Sequence, residues 1–179
     1  MSDPAKAVMT IRDAAVGDAK VVADIYNYYI LNTTITFEEQ AVTDTDMAQR
    51  IADVQGAGLP WLVVESDGEV AGYAYATKWR VRHAYRFSVE STVYLAPALS
   101  GKGLGRALYS ELLLRLAKSG YHLVIGGIAL PNAASIALHE KMGFEKVAQF
   151  REVGFKFDRW LDVGYWEKHL GTNQPKKAR

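Results

Sequence analysis

Glycines at positions 101, 103 and 105 sit in the stretch VYLAPALSGKGLGR (93–106). There an apolar strand ends at a proline, and a glycine-dense loop runs into a helix beginning near Leu104. Glycine leaves backbone N–H groups uncovered, and the first N–H groups of a helix have no intrahelical partner and carry partial positive charge. That order of residue types prepares a site for a phosphate or pyrophosphate. Two phosphate-loop patterns do not fit it. A Walker A loop needs Gly-Lys followed by Ser or Thr, whereas Gly101-Lys102 precedes Gly103. A dinucleotide fingerprint needs G-x-G-x-x-G and an acid about 20 residues on. The spacing here is G-x-G-x-G, and the next strand, YHLVIGGIAL, carries no acid.

The 179 residues have a formal net charge of +1 and no cysteine. Near-neutral charge gives no electrostatic case for nucleic acid or an anionic membrane as partner. Without cysteine there is no disulfide, thiolate nucleophile or cysteine-ligated zinc, and no metal is expected. No apolar run approaches the ~20 residues that span a bilayer. The opening MSDPAKAVMTIRDA lacks the basic start and apolar run of a secretory signal, so a cytoplasmic protein is expected. The length fits one domain, read as 9–170, with 1–8 and GTNQPKKAR (171–179) as frayed ends.

The elements that must hold the glycine loop follow from spacing. Met9–Arg12 reads as a short strand, and Asp18 can cap a helix bearing Val21, Val22, Ile25 and Tyr29 on one face. The loop NTTITFEEQ follows, its Phe37 either a core anchor or a pocket wall. Thr43 with Asp46 predicts a helix start ahead of Met47, Ile51 and Val54. Trp61–Glu65 and Val70–Ala76 read as strands joined at Asp67-Gly68. Arg86–Leu95 alternates: Phe87, Val89, Ser91, Val93 and Leu95 share one face; Arg86, Ser88, Glu90, Thr92 and Tyr94 share the other. Leu104, Leu108 and Leu112 mark a helix stopping at Ser119-Gly120. Tyr121–Ile128 reads as a buried strand, Asn132 as the cap of a helix closed by Gly143, and Phe144–Gln149 and Trp160–Lys168 as final strands. A mixed, mostly antiparallel sheet covered by helices fits this order.

The strand, Ser100-x-x-Gly103-x-Gly105 and helix together resemble the acetyl-CoA loop of the GNAT superfamily of N-acetyltransferases, (R/Q)-x-x-G-x-(G/A). Ser100 departs from it, standing where the family carries Arg or Gln. NAASIALHEKMGF (132–144) resembles a second segment of that superfamily, N-x-x-(A/S)-x-x-L-(Y/H)-x-K-x-G-F. With LNTTITFEE, RFSVESTVYL and REVGFKFDRWLDVGYWEK, the chain resembles the phosphinothricin and methionine sulfoximine acetyltransferase branch from Ile11 to Leu170. The resemblance implies an α/β (α+β) GNAT fold: a mixed, mostly antiparallel central sheet with a splayed strand pair, flanked by helices on both faces. It also implies acetyl-CoA as cosubstrate and a homodimer.

By this resemblance, main-chain groups of Val93, Tyr94 and Leu95 pair with the pantetheine arm, and Gly101, Lys102, Gly103, Leu104, Gly105 and Arg106 cradle the pyrophosphate. Arg106 is either a phosphate-side residue or a solvated one. Asn132 caps its helix and, by resemblance, bonds the pantetheine; Ser135 and Lys141 line the same groove, although Lys141 reads equally well as exposed. An amine must lose its proton before attacking a thioester, and Glu90 is the base chosen for that step. A strand N–H around Val93 or Tyr94 would hold the oxyanion. His139 occupies the position of a family tyrosine that protonates the departing thiolate; it is either that acid, as imidazolium, or a structural histidine.

For the acceptor, the resemblance assigns Arg80, Val81 and Arg82 together with Glu90, Ser91 and Thr92. Two arginines can hold a carboxylate or phosphinate, or can form a solvated basic loop. Phe37 and Glu38 wall that pocket, and Lys156 and Trp160 complete it at a dimer interface. The expected reaction is direct transfer in a ternary complex to the α-amine of a small amino acid or analogue. The other readings are acetylation of a protein N-terminus, polyamine or aminoglycoside, or a non-catalytic CoA-binding module.

Overall fold

The computed structural model describes residues 8–99 and 101–171. The readings made for Ser100, for 1–7 and for 172–179 lie outside those residues. Strand β1 (Met9–Asp13), helices α1 (Ala19–Asn32) and α2 (Asp44–Gly56), and strands β2 (Trp61–Ser66), β3 (Glu69–Lys78) and β4 (Ser88–Leu95) form the first half. Helix α3 (Leu104–Lys118), β5 (Leu123–Ala129), α4 (Ala133–Lys141), β6 (Glu145–Lys156) and β7 (Arg159–His169) complete it. The seven strands form one sheet in the order β1-β2-β3-β4-β5-β7-β6. Every neighbouring pair is antiparallel except β4 with β5.

Each face of the sheet carries its own core, as strand alternation requires. On one face Leu62, Val64, Ala74, Val89, Val124 and Ile128 pack with Leu108, Leu112 and Leu116 of α3. On the other, Trp61, Val63 and Tyr73 pack with Val22 and Ile30 of α1 and Met47 and Ile51 of α2. The expected α2 start is present: Thr43 accepts from the Asp46 N–H, and Asp46 accepts from the Thr43 N–H. The β2–β3 hairpin turns at Asp67 (φ 54°) and Gly68 (φ 87°), the positive-φ pair that a two-residue turn needs.

Two readings are corrected. The strand expected from Arg86 begins at Ser88, because His83–Tyr85 forms a 3-10 turn closed by the Arg86 N–H on His83 O. The strand expected to end at Gln149 runs to Lys156, through an irregular stretch where Glu152 takes φ 50°.

Candidate active site

The parallel ladder between β4 and β5 lasts three rungs, Ser88 with Leu123, Val89 with Val124 and Glu90 with Ile125. Both strands continue beyond it, to Leu95 and Ala129, without pairing. The sheet therefore opens into a wedge, the splayed pair expected from the resemblance. On its other side β4 stays paired with β3. The Ala96 N–H bonds Ala71 O at 2.8 Å and the Trp79 N–H bonds Ser88 O at 3.2 Å, and both pairs continue the β3–β4 register. Alternation then commits the main chain of even-numbered β4 residues to β3 and turns that of Val93 and Leu95 into the wedge. The Leu95 carbonyl is taken by the Tyr29 hydroxyl at 2.7 Å. Tyr94, one of two residues expected to offer an N–H to an oxyanion, has its N–H directed at β3; the Val93 N–H faces the wedge.

A cavity of about 500 Å³ occupies the α3–α4 side of this wedge. Gly101, Gly103, Gly105 and Arg106 line it at one end. Gly101 and Gly103 both take φ 82°, and Gly103, the N-cap of α3, has no side chain to cap with, so among the described residues the first amides of the helix have no partner. Gly105 lets α3 approach β4, since a Cβ there would stand 3.3 Å from Leu95 Cδ1. Lys102 is exposed and lies outside the lining, while Leu104 is buried in the core. Asn132, Ser135, His139 and Lys141 line the opposite wall from α4. The Asn132 Oδ1 caps α4 by accepting from the Ser135 N–H at 3.1 Å.

His139 is 4% exposed. Its Nδ1 lies 2.8 Å from the Ser135 carbonyl, which can only accept, so Nδ1 carries the proton. Burial pushes the imidazole down from its ordinary value, against the bond to Ser135, and the ring is neutral. Nε2 then accepts from the Tyr109 hydroxyl at 3.1 Å, and Tyr109 in turn accepts from Ser91 Oγ at 2.5 Å. Of the two readings of this residue, its surroundings disfavour the imidazolium and suit a structural histidine.

A second cavity, of about 350 Å³, lies on the other face and contains Glu90, with Phe37, Val153, Val163 and Tyr165 around it. Ile35, Tyr94, Gly127 and Ala129 line both cavities, so the two meet through the wedge. Burial pushes the Glu90 carboxyl up from its ordinary value, and the charge of Arg80 pulls against it. The Arg80 guanidinium rests over the Trp79 ring, 4.8 Å from its centroid, and Trp79 meets Tyr165 edge to face at 5.8 Å.

Other expected site residues are distributed differently. Ser91 is buried on the α3 face in the Tyr109–His139 relay, opposite the side that holds Glu90. Thr92 lines the larger cavity. Arg80, Val81 and Arg82 are all exposed, Arg82 at the start of the 3-10 turn, and of that loop Arg80 is the member whose charge acts on Glu90. Glu38 is occupied within the chain: Arg50 donates to both its oxygens at 2.7 and 3.0 Å, and the Tyr26 hydroxyl donates at 2.9 Å. Burial pushes that carboxyl up, but Arg50 and Tyr26 more than offset it and hold it below its ordinary value.

Lys156 is 1% exposed and donates to the carbonyls of Ile30 at 2.7 Å and Thr36 at 2.8 Å, which ties loop 33–37 to β6. Its ammonium is thus spent inside its own chain, whereas Trp160 is exposed beside Phe155. Residues not singled out from sequence also shape the site: Gly126, Gly127, Tyr109 and Tyr165. The paired glycines in YHLVIGGIAL were the visible signal, since two adjacent glycines weaken a buried strand without an evident turn. Among the described residues no helix is long and apolar enough to cross a membrane, and no three His, Asp or Glu side chains are grouped to hold a metal ion.

The model of the acetyltransferase (GNAT) domain matches residues 11–164. The chain is 42% identical over 163 residues to an L-methionine sulfoximine/L-methionine sulfone acetyltransferase of Salmonella typhimurium, covering 90% of this chain and 95% of that protein. It is 40% identical over 169 residues to a phosphinothricin N-acetyltransferase of Alcaligenes faecalis, covering 94% and 86% of the two. Its fold is similar to that of a Salmonella typhimurium acetyltransferase solved with its cofactor acetyl-CoA: the TM-score is 0.91 at 38% identity, over 96% of this chain and 99% of that one.

Proposed function

We propose, from the premise that this chain belongs to the GNAT acetyltransferase family, that it transfers acetyl from acetyl-CoA to the α-amine of a small amino acid or analogue of the phosphinothricin and methionine sulfoximine type. The observation that carries this reading is the meeting of two cavities through the β4–β5 wedge, one edged by helix amides and the other holding the half-buried Glu90 carboxylate. The donor supplies a thioester, a carbonyl carbon already bonded to a good leaving group. This chain's residues fit it: the open amides before Leu104, with Gly101, Gly103, Gly105 and Arg106, suit its pyrophosphate. The main chain of Val93 and the N–H of Leu95, on the free edge of β4, suit its amide-bearing arm. Asn132, Ser135 and Lys141 line the same groove.

Glu90 takes a proton from the acceptor's ammonium, freeing the nitrogen lone pair. The amine attacks the thioester carbon to form the C–N bond, the nitrogen then gives its second proton to solvent, and the C–S bond breaks with sulfur leaving as thiolate, itself protonated by solvent. The Val93 N–H faces the carbonyl oxygen as negative charge builds on it. Arg80 offers its guanidinium to the acceptor's acidic group. His139 acts by position, holding Tyr109 and Ser91 behind β4. Phe37 and Thr92 form walls, and Glu38 supports the loop that carries Phe37.

An exposed apolar row on the β6–β7 hairpin, including Phe150, Val153, Phe155, Phe157 and Trp160, supports a homodimer built on that edge. A thioester donor made inside cells supports a cytoplasmic location. The test is thiol release from acetyl-CoA across a panel of amino acids, their analogues, polyamines and aminoglycosides. Turnover confined to small acidic or sulfoximine-type amino acids is expected. Equal rates with lysine and polyamines would remove the substrate assignment.

A further inference from the structure

Gly126 and Gly127 are consecutive on β5 and face opposite sides of the sheet. Neither has a positive φ, so their backbone conformation does not call for glycine. Space does. A Cβ at 126 would stand 2.5 Å from His139 Nε2, on the cofactor-cavity face. A Cβ at 127 would stand 3.1 Å from Glu90 Oε1 and 3.3 Å from Tyr165 Cε1, on the acceptor face.

The two voids differ in what fills them. The one above Gly126 is taken by the His139 imidazole, a packing reason sufficient in itself. The one above Gly127 is open: the residue is exposed, lines both cavities, and lies opposite Tyr165 in the β5–β7 ladder. We propose that Gly127 is a specificity-determining residue, and that the gap its missing side chain leaves between Glu90 and Tyr165 is the seat of the acceptor's amine. This rests on the acetyl-transfer reading above.

The dimensions agree. A charge-assisted N–H···O bond places nitrogen about 2.7–2.9 Å from a carboxylate oxygen. A methyl group 3.1 Å from Oε1 occupies that same shell, so amine and Cβ compete for one volume. The Tyr165 ring forms the other wall, its Cε1 3.3 Å and its Cδ1 3.8 Å from that position. A primary amine fits this gap, whereas an N-methylated amine carries its extra carbon into Glu90 or Tyr165.

Gly127→Ala and Gly126→Ala, with wild type, test this against the fastest-turning amine of the panel above and its N-methyl derivative. Titration calorimetry with acetyl-CoA and thermal unfolding are run alongside. Gly127→Ala is expected to lower the acceptor's kcat/KM about 10²-fold, the scale of an ångström-level misplacement, with acetyl-CoA affinity and unfolding midpoint unchanged. Gly126→Ala is expected to weaken acetyl-CoA binding instead, by displacing His139. Wild type is expected to reject the N-methyl amine. A Gly127→Ala enzyme that keeps its acceptor kcat/KM, or loses acetyl-CoA affinity or stability in parallel, overturns the assignment, as does ready turnover of the N-methyl amine. Wild type that releases no thiol with any amine overturns the acetyl-transfer reading and this assignment with it.

Discussion

Glu90 pairs with Ile125 on the last rung of the β4–β5 ladder, so its carboxylate stands where the sheet divides. Two opposing influences meet there: burial raises the carboxyl and Arg80 lowers it, with burial the larger. A base must be ionised to work, so turnover should fall as pH drops through this raised value. We expect the acid limb of the kcat profile to lie above the ordinary carboxylate range. Arg80→Gln should move that limb to still higher pH, because it removes the one influence pulling the carboxyl down. Glu90→Gln should abolish the limb and cost about 10²–10⁴-fold in kcat. Rate profiles of the three enzymes between pH 5 and 9 check this; a limb that Arg80→Gln leaves in place would separate the two residues.

The same carboxylate has a stability consequence. Its folded-state pKa exceeds the unfolded one, so the folded chain binds more protons between those values and loses stability as pH rises across them. At neutral pH and above, the ionised form carries its full burial penalty. Neutral Gln at position 90 removes that penalty, and Glu90→Gln should unfold at a higher temperature than wild type above pH 7. The gain should vanish at pH 4, where the native carboxyl is protonated. Scanning calorimetry at the two pH values decides it, and a variant less stable at both would contradict the account.

How far the sequence reveals this site depends on how local each cause is. The α2 start was legible because Thr43 and Asp46 satisfy each other three residues apart. The phase of β4 was legible from its alternation, and that period already separates Glu90 from Ser91, although a shared substrate role had been expected of both. Glu38 was illegible because it lies in the loop after α1 and Arg50 reaches it from α2, and Lys156 because its acceptors lie more than a hundred residues away. The length of β6 was hidden for another reason. Its turn uses Phe157 (φ 51°) and Asp158 (φ 55°), with no glycine or asparagine to announce it.

Lys156 turns that long-range contact into a third prediction. Its ammonium joins the end of α1, at Ile30, to Thr36 in the loop whose Phe37 ring packs over Gly154. Lys156→Met keeps the stem but leaves two buried carbonyls without their donor. Loss of such partners costs about 1–3 kcal/mol, offset in part because a desolvated charge is removed as well. We expect a net destabilisation within that range and a raised KM for the acceptor, with KM for acetyl-CoA little changed, since the loop walls the Glu90 cavity. Urea titration and separate KM determinations check it; an unchanged acceptor KM would confine Lys156 to stability.

The direction of protons through Ser91, Tyr109 and His139 supplies the last prediction. Because the Ser135 carbonyl can only accept, every proton in the relay is fixed in turn: Nδ1–H to Ser135, Tyr109 O–H to Nε2, Ser91 O–H to Tyr109. A buried imidazole already neutral at pH 7 loses no proton as pH rises from 7 to 9, so it cannot produce an alkaline limb there. His139→Ala should therefore leave the alkaline side of the kcat profile in place while weakening acetyl-CoA binding, because the groove wall and the back of β4 lose their tie. Tyr109→Phe should act in the same direction but more mildly, since Ser91 Oγ has the Ile125 carbonyl at 3.4 Å to turn to. If the alkaline limb disappears with His139→Ala, the ring titrates during turnover and serves as the acid after all.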